Sequence, residues 1–86
     1  MRQSDISYYY NLDRKFCFSV EECTAFVVED ELLGFKIVIF QEDINPIYSF
    51  VSTLEEAYEL LKQYLEECIG IDIDTIKNFK STFFDI

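Results

Sequence analysis

The sequence of 86 residues has no histidine and no tryptophan, one proline, two glycines, three cysteines and only seven basic residues. Each shortage excludes something. Without histidine, the usual general acid–base group at neutral pH is missing, along with the commonest metal ligand. Carboxylates are plentiful, but nearly all fall in expected turns or on an outer helix face, where solvation leaves them ordinary. A glycosidase-like pair also needs a concave site, for which so short a chain leaves little room. The scarcity of glycine and proline argues against a loop-dominated or repetitive chain, and no glycine-rich phosphate loop is present. The expectation is therefore a protein that is not an enzyme and holds no cofactor.

Cys17, Cys23 and Cys68 are odd in number and include no C-x-x-C pair. They read as reduced, largely buried thiols in a cytoplasmic protein, with no spacing that favours a zinc site. Cys17, near Arg14 and Lys15, is the faint candidate for a nucleophile, and a buried strand thiol is the better reading. The D-x-D of Asp72 and Asp74 lacks EF-hand spacing, so N-capping explains it better than calcium. The first residues, MRQSDISYYYN, contain no apolar run long enough for a signal peptide, and no stretch of membrane-spanning length follows.

What is abundant is apolar surface and negative charge. Half of the residues are hydrophobic, and six tyrosines and nine phenylalanines supply large core side chains. That is ample for one globular domain, 1–86, and makes disorder the wrong expectation. The net charge is −10. It is concentrated in residues 16–76, where fourteen acids face only Lys36 and Lys62 and the balance is −12. Such a field repels phosphates, so direct contact with nucleic acid or an anionic membrane is disfavoured.

Along the chain, ISYYYNL (6–12) reads as an edge strand or an ordered arm. RKFCFSV alternates, with Phe16, Phe18 and Val20 on one side. Glu21 and Glu22 read as a turn and 23–29 as a strand, although Ser19 and Glu22 also fit a capping box and a short helix at 20–26 is the alternative. EDELLG (29–34) is a polar connection. FKIVIFQ (35–41) is apolar on both sides, as expected of a central strand or one covered on both faces. EDINP is a turn and IYSFVS (47–52) the next strand.

A long amphipathic helix follows over about 53–69. Ser52 with Glu55, and Thr53 with Glu56, have capping-box spacing. Leu54, Ala57, Tyr58, Leu61, Tyr64, Leu65 and Cys68 form one stripe. Gly70 stands where a left-handed residue ends helices. In the tail, Asp72 or Asp74 caps a short second helix on which Ile73, Ile76 and Phe79 share a face, and FFDI finishes as an edge strand or a docked tail. The fold class is α+β: an antiparallel β-meander of three to five strands packed on one long helix, in two layers.

Function has to come from the surface. Glu55 and Glu56 sit at the positive end of the helix dipole and need no further reason. Glu59 makes a like-charge i,i+4 pair with Glu55, and Glu66 and Glu67 sit at the negative end, so folding alone disfavours all three. Together with the acidic turns Glu29, Asp30, Glu31 and Glu42, Asp43 they are the expected partner-binding residues. Three consecutive tyrosines cannot all point inward, and Tyr9 is taken as an exposed anchor. The reading is a non-enzymatic acidic protein that inhibits a partner by capturing its basic, nucleic-acid-binding surface, a nuclease for instance. This is the manner of phage anti-defence proteins, the anti-CRISPR and anti-restriction DNA mimics. The alternatives are an immunity protein or antitoxin for a basic toxin, and a structural or regulatory homodimer formed through the aromatic arm and the apolar sheet face.

Overall fold

The computed structural model describes residues 3–85, with side chains from Ile6 to Asp85; Met1, Arg2 and Ile86 lie outside it. The elements run α1 (Gln3–Tyr10), β1 (Phe16–Val20), β2 (Cys23–Asp30), β3 (Gly34–Gln41), β4 (Ile44–Val51), α2 (Leu54–Cys68), a 3₁₀ turn (Ile73–Thr75) and α3 (Phe79–Phe83). The four strands form one antiparallel sheet in the order β1-β2-β3-β4. The fold is thus an α+β meander, with 19–26 a tight hairpin rather than a helix.

Strand alternation sorts the side chains onto two faces. On one face Phe16, Ala25, Val27, Ile37 and Ile39 bury themselves under Ala57, Tyr58, Leu61 and Leu65 of α2, with Ile73, Phe79 and Phe83 from the tail. Phe79 and Phe83 meet Phe16 edge-on at 5.2 and 4.9 Å between ring centroids. This core therefore takes up the tail, which docks as the short helix α3 and not as a strand. Asp72 caps the 3₁₀ turn by accepting from Asp74 N (3.0 Å), whereas α3 starts only at Phe79, after Asn78 in a left-handed conformation.

The second face is covered by α1, which corrects the expected strand or arm at 6–12. Ile6, Tyr9 and Leu12 recur at three-residue steps and pack on Phe26, Val28, Val38 and Phe40. The β-preference of YYY yields to this packing, as local propensity commonly does. Helices on both faces make three layers rather than two. β3, central and apolar on both sides, is the strand that needs them.

α2 is a helix of 15 residues, an ordinary length and shorter than the long helix expected over 53–69. Of the two capping boxes the spacing allowed, the chain uses Thr53 with Glu56. Thr53 Oγ1 accepts from Glu56 N (3.1 Å), and Glu56 Oε1 accepts from Thr53 N (3.1 Å) and Ser52 N (2.9 Å). Gly70, at φ +80°, ends the helical course as expected. Gly34 is required for a different reason. Its φ is +108°, and a Cβ there would stand 2.5 Å from the Val51 carbonyl oxygen, so the β2–β3 turn closes against the junction of β4 with α2.

Candidate functional site

A meander places successive turns at alternate ends of the sheet. The β1–β2 turn (Glu21, Glu22) and the β3–β4 turn (Glu42, Asp43) therefore share one end, and a backbone bond from Glu42 N to Glu22 O (3.3 Å) ties them together. α2 starts beside Gly34 at the opposite end and runs back. Its Tyr64 hydroxyl donates to Gln41 Oε1 (2.6 Å), which brings the helix C-terminus to the same two turns. A shallow cleft of about 570 Å³ joins them, lined by Glu21, Glu22, Cys23, Gln41, Cys68 and Ile69.

Glu21, Glu22, Glu42, Asp43, Glu66 and Glu67 are all exposed and gather at this end. The ion pairs among the described residues join Lys62 to Asp72 (3.9 Å) and Asp74 (3.4 Å), and none touches these six. Glu67 accepts from Gln63 Nε2 (3.0 Å), an i,i+4 contact that steadies its orientation without neutralising it.

The other expected residues fall elsewhere. Glu29, Asp30 and Glu31 lie at the opposite end. Asp30 Oδ1 accepts from Leu32 N and Leu33 N (2.9 Å each), and these bonds hold its carboxyl below the usual range. Glu29 shares small clefts with Arg14, Lys15 and Lys36, so this end mixes both signs. Glu59 is exposed midway along α2, beside Tyr58 and apart from the acidic end.

Tyr9 is corrected: only 6% of it is exposed, against 61% for Tyr8 and 48% for Tyr10. The helical turn of α1 reverses the inward and outward assignment a strand would give. It sets the Tyr9 ring against Phe26 (5.5 Å) and Phe40 (5.9 Å), with Lys36 Nζ 5.3 Å from its centroid. Sequence reasoning passed over Glu21 and Glu22 as partner-facing residues. The signal that would have found them is the alternation of turns in a meander, which pairs 21–22 with 42–43 and not with 29–31.

The cysteines divide. Cys23 is buried, whereas Cys17 and Cys68 are exposed, contrary to the expectation of three largely buried thiols. Burial pushes the Cys23 thiol up and does the same to Cys17, where Lys15 opposes the effect only in part. Neither is activated as a nucleophile. Among the described residues no group of three or more His, Cys, Asp or Glu side chains is arranged to hold a metal ion. No described helix is long and apolar enough to cross a membrane.

The most perturbed groups form a polar clip between α2 and the tail. The Tyr58 hydroxyl donates to Asp74, Lys62 reaches Asp72 and Asp74, and Lys80 Nζ lies 5.6 Å from the Tyr58 ring centroid. Burial, then the hydrogen bond to Asp74, pushes the Tyr58 hydroxyl well above its ordinary value. The Tyr58 bond, reinforced by Lys62, holds Asp74 low. The arrangement fastens the 3₁₀ turn to the helix, and every member has a partner within it.

No family model matches the chain, and neither a curated protein nor a solved structure does.

Proposed function

We propose that this protein is a non-enzymatic inhibitor that places its acidic end in the basic, nucleic-acid-binding surface of a partner protein, the carboxylates standing in for phosphates. The manner is that of phage anti-defence DNA mimics, including anti-CRISPR and anti-restriction proteins. The observation that carries this reading is the gathering of six exposed carboxylates, none in an ion pair among the described residues, from three separate chain segments onto one end. Local folding rules oppose several of them. Glu21 occupies a left-handed backbone conformation (φ +51°) that favours Gly or Asn, and Glu66 and Glu67 lie at the negative end of the α2 dipole. Local rules broken together, at one place, are the pattern expected of a surface kept for binding.

The test is inhibition of a basic nuclease, read as cleavage of duplex DNA. Inhibition is expected to weaken steeply between about 50 and 200 mM salt, as contacts that replace phosphates do. Changing Glu21, Glu22, Glu66 and Glu67 together to Gln is expected to weaken it at least tenfold. Inhibition indifferent to both salt and these substitutions would sink the proposal. A partner for the test is best sought by affinity capture from a host lysate.

A further inference from the structure

We infer that the outer edge of β4 associates with a second copy of this chain, strand against strand. β4 is the last strand of the sheet, and among the described residues its backbone bonds run to β3 alone. Exposed edges of this kind are normally guarded by charge, lysine above all, by proline or by a bulge; Pro46 and the irregular register against Ile39–Gln41 guard the start of β4, and nothing of the kind guards 47–51. Here residues 44–54, INPIYSFVSTL, contain no charged side chain, in a chain where 28% of residues are charged. The strip is also apolar: Ile44, Tyr48 and Phe50 are each about half exposed. Tyr48 and Phe50 lie across from Val38 and Lys36, so they extend the buried cluster of Tyr9, Phe26, Val38 and Phe40 out to an open rim.

Charge selects the occupant. A two-fold contact sets a surface against itself, so every charged group near the axis meets its like. For a chain of net charge −10 a neutral strip is the surface that pairs with itself at least electrostatic cost, and β4 supplies one. The acidic end cannot serve, and the other edge strand, β1, is five residues long and follows Arg14 and Lys15 directly. The sequence of β4 also fits one register. With the axis at Ser49, Tyr48 lies opposite the partner's Phe50 and Ile47 opposite the partner's Val51, and each pair shares a face. Pro46, which has no N–H to give, then falls opposite Ser52, beyond the end of the strand. Moving the axis to Tyr48 would bring Pro46 into the ladder opposite Phe50. The product is a continuous eight-stranded sheet.

Sedimentation equilibrium of the intact protein tests this, from about 1 to 200 µM and at low and high salt, over a Debye length of about 30 to 4 Å. The expected result is a monomer–dimer equilibrium, up to twice the 10.2 kDa chain mass, that tightens as salt screens the repulsion. Partner capture by the acidic end has the opposite salt response, so failure of either idea leaves the other readable. The double variant Tyr48→Glu, Phe50→Glu is expected to weaken dimerisation at least tenfold while folding normally. Lys36 lies 5.2 Å from the Tyr48 ring and pairs across from Phe50, so the new carboxylates have a counterion in the monomer. Should that variant lose its circular dichroism, Ser49→Cys in a Cys17→Ser, Cys68→Ser background decides: oxidation should join two chains through position 49, and Asn45→Cys should not. A monomer at every concentration, a dimer unchanged by the double variant, no cross-link at 49, or β4 binding only an unrelated extended peptide would each overturn the inference.

Discussion

Glu21 turns the β1–β2 hairpin at φ +51°, and Asp43 turns the β3–β4 hairpin at +65°. Aspartate tolerates the left-handed region because its short side chain bonds locally; glutamate does not, and pays about 1 kcal/mol of steric cost. Glu21→Asn is therefore expected to stabilise the protein by about 0.5–1 kcal/mol, read as a higher urea midpoint at unchanged slope. An unchanged or lower midpoint would mean the turn is not strained at this residue. The same scale shows where residue-level reading of the sequence stops. That not all of Tyr8, Tyr9 and Tyr10 could be buried followed from their adjacency. Which one goes inward depends on whether the segment has a period of two or of about 3.6, and a run of eight residues with three β-favouring aromatics does not declare its period.

At the scale of elements, what was legible is what short-range chemistry encodes. The hairpin at Glu21–Glu22, the two-sided strand β3 and the Thr53–Glu56 cap each rest on residues within a few positions of one another. α1 rests on Tyr9 meeting Phe26 and Phe40, contacts distant in sequence that no local pattern reports. The docking of the tail is another long-range event, and its clip makes a pH prediction. Asp74 is held below its ordinary value, so its contribution is present above about pH 4 and is lost as pH falls through the depressed folded value. The Tyr58 hydroxyl and the Lys62 ammonium are both raised, so their contribution is present below about pH 10 and is lost as pH rises beyond it. Stability should accordingly form a plateau between these limits. Asp74→Asn is expected to lower the plateau and to flatten the acid limb below about pH 4, measured by denaturant midpoints across pH. Tyr58→Phe should flatten the alkaline limb. An acid limb of the same steepness in Asp74→Asn would remove Asp74 from the account.

At the scale of the whole molecule, topology converts a diffuse composition into a polarity. The −12 balance of residues 16–76 was visible in the sequence, but its division was not. Alternating turns send Glu29, Asp30 and Glu31 to the end where Arg14, Lys15 and Lys36 accompany them. The same alternation leaves Glu21, Glu22, Glu42 and Asp43 with Glu66 and Glu67 at the end where no ion pair forms among the described residues. Like charges held together repel over a distance of about 10 Å at moderate ionic strength, so folding works against this end. The urea midpoint should therefore rise between about 20 mM and 0.5 M sodium chloride as screening shortens that range. Changing Glu66 and Glu67 to Gln should stabilise the fold at low salt by about 0.3–1 kcal/mol each, since both also oppose the helix dipole; this is read as a higher urea midpoint, with a reduced salt dependence. If the same substitutions also abolish inhibition of a basic partner, stability and binding pull on these residues in opposite directions, as at a site where binding retains what folding would replace. A midpoint that ignores both salt and the substitutions would show that the acidic end carries no repulsion to relieve.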